Sequence, residues 1–272
     1  MYDVAGHAIG LVVVGLLFVA AERLWPSVRG QRFLRREFRT DLAYYFLSPL
    51  VNKVLGGLLA AALLAPPLLL MGRDLNANAL RDGFGPVALQ PVWLQALEVL
   101  VLGDLLGYWV HRGFHSARLW RFHAVHHSPR ELDWLSSFRQ HPVNESVGGL
   151  VLGGVFILLG FNLTLVGLYV PFLVLYALSL HANVTWGFGP LGGWLASPTW
   201  HRWHHSRQPS AIDMNYAPMF VIWDRLFGTF YWPREQQAFD FGITSDDMPP
   251  AYLGQLAYPF RRRQAAPKPA EA

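Results

Sequence analysis

The sequence predicts an all-α fold, a polytopic bundle of membrane helices with a histidine-rich helical cap on the cytoplasmic side. Three observations predict it. Hydrophobic residues make up 53% of the 272-residue chain and charged residues 15%, against about a quarter charged in an ordinary soluble domain. The apolar residues gather into four long runs with few charges. All histidines but His7 follow the third of these runs, most of them in short clusters.

No break in composition divides the chain, so residues 1–272 read as one domain with its core at 92–232. The segment 261–272, with three arginines, two prolines and several alanines, reads as a disordered tail at the membrane surface. The absence of cysteine excludes disulfides, thiolate zinc sites, cysteine-held iron–sulfur clusters and thiolate haem. A net charge of +4, interleaved with Trp and Leu, does not make a nucleic-acid groove but suits anionic headgroups. The basic residues are nearly all arginine, with only Lys53 and Lys268 as lysines. With the Ala/Leu/Gly bias, this points to a bacterial genome and an inner-membrane location.

The first run, Val4 to Ala21, holds no charged residue and is long enough to cross about 30 Å of hydrocarbon. Asp3 before it and Glu22-Arg23 after it read as the flanks of an anchor, not of a cleaved signal. The second run, Leu42 to Gly72, is interrupted by Pro49, Asn52 and Lys53, which predicts an interfacial part followed by a crossing near Val54–Met71, kinked at Pro66-Pro67. The third, Val92 to Val110, carries Glu98 and Asp104, which must face protein or a polar cavity.

The fourth run, Val147 to Leu180, is thirty-four residues without a charge, too long for one straight crossing and too short for two full ones. A hairpin that enters and returns is expected, turning at Gly160-Phe161-Asn162 or between Gly167 and Pro171. Six arginines between Arg23 and Arg39 place the first loop in the cytoplasm. Counting crossings from there brings every histidine except His7 to that compartment, and leaves His7 as a structural or interfacial residue.

His111 and His115 stand at i and i+4 at the cytoplasmic end of the third run. The pattern H-x-x-H-H then occurs twice, as His123, His126, His127 and as His201, His204, His205. On a helix this spacing puts all three rings on one face, and two such faces can grip a pair of metal ions. Ser197 and Pro198 form a helix start for the second box, and Pro209 a stop. His141 and His181 are isolated in sequence, but they flank the hairpin and return to the same side, which makes both candidate ligands. Imidazole suits iron, zinc and copper alike, so ligand type does not choose the metal. The count favours two ions, since a structural zinc takes four ligands and a catalytic one three and a water.

At these boxes the sequence resembles the fatty acid hydroxylase and sterol desaturase superfamily, whose signature is H-x(3,4)-H followed by two H-x-x-H-H boxes among membrane helices. The likeness runs from about Gly103 to Trp232 and includes His181-Ala-Asn-Val, Gly189-Pro190-Leu191, and Trp223-Asp224-Arg225-Leu226-Phe227-Gly228-Thr229. It implies a cytoplasmic cap holding two ferrous ions, which uses O2 and an external electron donor to oxidise a C–H bond of a lipid. Carried over residue by residue, the ligands are His111, His115, His123, His126, His127, His181, His201, His204 and His205, with His141 a further candidate. In the fatty-acid 2-hydroxylase branch another histidine precedes the last box, and here Ala177 stands in its place. His141 or Asn183, the latter through a water, is left to complete the shell.

Asp213, Asn215 and Asp224 can orient metal-bound imidazoles through their second nitrogens. The alternative makes Asp213 and Asn215 turn residues and pairs Asp224 with Arg225 or Arg202. Trp223 and Phe227 read as interfacial packing. The expected reaction is hydroxylation of a fatty acyl, sterol-like or aminolipid substrate. Desaturation, ether-lipid oxidation and a non-catalytic zinc-binding membrane protein are the alternatives. Electrons are expected from a separate protein of ferredoxin or cytochrome type, drawn to Arg118, Arg121, Arg202 and Arg207, which equally suit headgroup phosphates.

Overall fold

The structure, a computed structural model, describes residues 4–70, 81–245 and 247–261. The expected disordered tail, apart from Arg261, lies outside the described residues, as does Met71 at the end of the second crossing. The described residues form helices with isolated bridges, such as Pro26 with Val184, and no strand. Five spans are long and apolar enough to cross a membrane, which makes the chain a multi-pass membrane protein.

The first span is α1 (Val4–Leu24). The second is α2 (Phe38–Leu63) continued by α3 (Ala65–Leu70), and it starts well before the predicted interfacial break. Pro49 sits inside α2 without ending it. Pro66 and Pro67 fall in the first turn of α3, where their missing N–H groups cost least. The joint at Leu64 stays bonded on both sides, Leu64 N–H to Ala60 and Leu68 N–H to Leu64. At about 1.5 Å per residue, these 33 residues outrun the hydrocarbon, so the first turns extend beyond it.

After a short helix, α4 (Gly85–Ala88), comes α5 (Val92–Phe114). Its two acids face protein, as intramembrane cost requires. Asp104 is fully buried and accepts from Phe220 N–H at 2.8 Å and the Trp223 indole N–H at 2.9 Å, so Trp223 tethers the cap to the bundle and is not a free interfacial ring. Glu98 accepts from the Gln90 side chain.

The hairpin is α7 (Pro142–Leu159) and α8 (Leu163–His181), entered from the short α6 (Trp120–His127). It turns at the first of the two expected places. Gly160 takes φ 84°, Asn162 caps α8 by accepting from Thr164 N–H, and Phe84 N–H bonds the Gly160 carbonyl. A Cβ on Gly160 would lie 2.2 Å from the Phe84 carbonyl oxygen. Each helix is long enough to cross, because α7 begins at Pro142 and takes Asn144 and Glu145 into its first turn. The charge-free run had placed the start later.

The C-terminal part adds α9 (Pro198–His204), α10 (Ile222–Leu226) and α11 (Tyr252–Ala257). The ends of α1 and α2 and the segments that flank α7 and α8 are tied by polar contacts. Glu22 at the end of α1 accepts from the backbone N–H groups of both Trp134 and Asn183 at 2.9 Å. Arg35 forks onto Asp133 at 2.6 and 2.7 Å and also bonds Asp41, while Arg139 reaches Asp41 at 2.5 Å. All four are at least 95% buried. Burial alone would lower the Arg35 pKa, but Asp133 and Asp41 outweigh it and hold the guanidinium charged.

Candidate metal centre

His111 lies in the last turn of α5 and His115 caps its end. The first H-x-x-H-H box is the inward face of α6. The second is α9 with its C-cap His205, started as expected by Ser197, which accepts from Trp200 N–H, and by Pro198. His181 ends α8. These elements bring nine histidines into two adjoining groups. One holds His111, His115, His123, His127 and His204; the other holds His126, His181, His201 and His205, and within each the candidate ligand atoms lie within 4.8 Å of one another. The rings of His127 and His205 stack across the boundary at 4.4 Å.

In the first group the Nε2 atoms of all five rings lack a partner among the described residues. Four of these rings donate through Nδ1: His111 to the Tyr216 carbonyl at 2.8 Å, His115 to Asp213 at 3.0 Å, His123 to Asn144 Oδ1 at 2.9 Å and His204 to the Met214 carbonyl at 2.7 Å. A neutral imidazole that donates through Nδ1 carries its lone pair on Nε2. The first group therefore gathers lone pairs that no protein donor satisfies.

In the second group the Nε2 atoms face one another. His181 Nε2 stands 3.0 Å from that of His126, 3.1 Å from that of His205 and 3.3 Å from that of His201. His126 donates through Nδ1 to the Arg139 carbonyl and His181 to the Ala177 carbonyl. Burial holds His123, His126, His127, His201, His204 and His205 well below the ordinary imidazole pKa, and the neighbouring rings add to it. His115 is lowered by burial despite Asp213. Neutral, oriented, converging imidazoles are the donor set that a divalent transition metal requires, and two groups fit two ions.

His141 belongs to neither group. It caps α7, its Nδ1 accepting from Val143 N–H and its Nε2 bonding the Leu256 carbonyl, so both ring nitrogens are occupied by backbone. Asn183 is likewise taken, holding Val28 through both backbone groups. Ala177, where the related branch has a histidine, serves His181 with its carbonyl.

Asp213 is both turn residue and imidazole partner: it takes φ 59°, and its carboxylate, held below the usual range by the His115 bond, meets His115. Asn215, at φ 66°, is a turn residue alone, bonding Trp200 and Tyr231 backbone. Asp224 pairs with neither Arg225 nor Arg202. Burial raises its pKa to about 6 against the bonds it accepts from Thr229 and from Tyr216 and Ala217 N–H. By fixing Tyr216 it fixes the carbonyl that orients His111.

Arg202 is 1% exposed and lies over the Phe241 ring at 4.7 Å, so it cannot meet a docking protein or a headgroup, and burial pulls its pKa down to about 10. Arg207 pairs with Asp240, and Arg118 stays exposed. Sequence reasoning missed Asn144 and the four backbone carbonyls. Asn144 had a signal, its place three residues after His141 and just before the fourth apolar run; carbonyls have none.

The fatty acid hydroxylase family model matches residues 96–229, which include all nine clustered histidines. An ornithine lipid hydroxylase of Rhizobium tropici is 36% identical over 178 residues, 64% of this chain and 52% of that protein. The alkylglycerol monooxygenase of Danio rerio is 30% identical over 235 residues, 85% of this chain and 48% of that protein. The lathosterol oxidase of Rattus norvegicus is 30% identical over 147 residues, 52% of this chain and 46% of that protein. The chain thus spans about half the length of the curated relatives it matches. No solved structure matches it. With the signature histidines gathered inside the matched segment, the chain belongs to the fatty acid hydroxylase family.

Proposed function

We propose that this protein is a membrane-bound di-iron oxygenase that hydroxylates a C–H bond of a lipid, using O2 and electrons from a separate donor protein, with its metal centre on the cytoplasmic side. The observation that carries this reading is the set of five unpartnered Nε2 atoms beside four mutually facing ones. Two iron ions held by these histidines would supply the O2 activation and redox chemistry that no protein side chain provides.

The protein's own part is to hold and orient. Tyr216, Met214, Arg139 and Ala177 carbonyls, with Asn144 and Asp213, fix the ring planes and tautomers. Burial of the second group, whose four histidines are each at most 5% exposed, keeps bulk water from the oxidising centre. A cavity lined by His115, His127, His204, Arg121 and Arg207 gives the donor an approach through the loops at 206–213 and 242–244.

The test is metal content and lipid composition together. Protein purified from iron-supplemented cells should carry close to two irons per chain. Cells with the gene should contain a lipid sixteen mass units heavier than its precursor. Tightly held zinc that iron does not displace, with unchanged lipids, would overturn the reading; a loss of two mass units would mean desaturation instead.

A second reading, oxidation beside the oxygen of an ether lipid, is supported by the alignment with alkylglycerol monooxygenase over 85% of this chain. Hydroxylation at that carbon yields a hemiacetal that breaks into an aldehyde and an alcohol. Loss of an alkyl chain, rather than a stable gain of sixteen units, distinguishes it.

A further inference from the structure

Tyr44, Ser48, Asn52, Gly56 and Ala60 follow one another at every fourth position of α2 and so form one inclined ridge along the helix. Two cavities border it. The first, about 300 Å³ between α1, α2 and α8, is lined by Leu11, Val14, Ser48 and Leu175 among others. The second, about 420 Å³ between α2 and α7, is lined by Gly56, Ala60, Gly149 and Gly153 among others. Glu145 lines both, and so stands between the two cavities.

That place is polar, and part of it is unsatisfied. The Asn52 amide donates to the Glu145 carboxyl, which leaves Asn52 Oδ1 without a partner among the described residues. The Ser146 hydroxyl, on a residue 6% exposed that lines the second cavity, has none either, and nor has the Tyr44 hydroxyl, on a residue 1% exposed that lines the first. Buried polar groups left unpaired cost free energy, and here they sit at the head of apolar grooves within the membrane-crossing helices. No arginine or lysine lines either cavity, and the second, with no histidine either, would offer a phosphate a carboxyl group and no cationic partner. A group that donates hydrogen bonds would find acceptors at Glu145, Asn52 and the two hydroxyls.

We propose that Glu145, Asn52 and Ser146 bind the polar end of a membrane lipid that donates hydrogen bonds through an amine, amide or hydroxyl, with an alkyl chain laid in the glycine-lined groove between α2 and α7. The groove has room: a Cβ at Gly149 or Gly153 would meet nothing within 4 Å. The site lies one residue from Asn144, the partner of His123, yet it holds whichever reaction the histidines perform.

The test is lipid retention by the full chain purified in mild detergent, with retained lipids extracted and identified by mass spectrometry, before and after metal chelation. The wild type should retain a donor-headed lipid enriched over its share of the source membrane. Gly153→Leu should lower the retained amount by about tenfold, which corresponds to about 1.4 kcal/mol, with metal content and melting temperature unchanged. If Gly153→Leu unfolds, Gly149→Val on the same open wall carries the test. Glu145→Ala should remove the enrichment for donor heads over phosphate heads. Retention in bulk membrane proportions, or undiminished retention in the folded groove variants, would overturn the proposal. Metal loading is read separately, so failure here is distinct from failure of the di-iron reading.

Discussion

His126 Nε2 and His181 Nε2 face each other at 3.0 Å, with each ring's Nδ1 against a backbone carbonyl. Both Nε2 atoms then present lone pairs to each other, and the contact is repulsive unless a cation lies among them. His181→Ala removes the ring at the hub of the second group and leaves the first untouched. Metal content should fall from about two ions per chain to about one, as read by elemental analysis. Retention of both ions would remove His181 from the ligand set.

Asp213 acts on His115 from a largely exposed position, its side chain 63% exposed. Asp213→Ala should weaken metal binding in the first group by about 10- to 100-fold, the usual cost of losing an imidazole's orienting partner, with little change in folding. Competition against a chelator of known affinity measures this. An unchanged affinity would make Asp213 a turn residue only.

The metal-free protein should lose stability in mild acid. Burial lowers the folded-state pKa values of the cap histidines, while in the unfolded chain they return to about 6.5. Below about 6.5 the unfolded state therefore binds more protons, and stability falls with pH. Thermal unfolding of chelated protein in detergent should give a lower midpoint at pH 5.5 than at pH 7.5. A flat or rising midpoint would mean that the rings are not buried neutral.

Asp41→Asn leaves the Arg139 and Arg35 charges buried beside a neutral amide. Breaking one partner from a buried ion network costs about 3–5 kcal/mol, and because the Arg139 carbonyl orients His126, the second metal group should also loosen. Denaturant or thermal unfolding reads the first effect and chelator competition the second. A stable variant with normal metal affinity would show that Asp133 on Arg35 and Glu37, 3.7 Å from both guanidinium groups, suffice as counterions.

The three histidine boxes and the first three spans were legible because periodicity and charge-free length are properties of the chain itself, whereas the fourth run, read as too short for two full crossings, holds two helices each long enough to cross. The hairpin turn was legible as one of two places, and it falls at Gly160, a left-handed residue with the Asn162 cap two positions on. The start of α7 was not, because Glu145 ends a charge-free run without ending a helix. His141 looked like a ligand because its place beside the hairpin was right, but its ring turns to cap α7. The Arg35, Asp41, Asp133 and Arg139 network was invisible because its members lie in separate segments, each an ordinary loop or helix-start charge when read alone.

The second histidine group draws on α6, α8 and α9, and so on residues from His126 to His205. A chain emerging from the ribosome inserts α1, α2 and α5 and exposes His111, His115 and the first box long before the last box exists. Neither site can close until the C-terminal third has been made and folded back over the bundle. Metal taken up by these groups would therefore be captured late in biogenesis, and a chain truncated before His201 would hold only fragments of both groups.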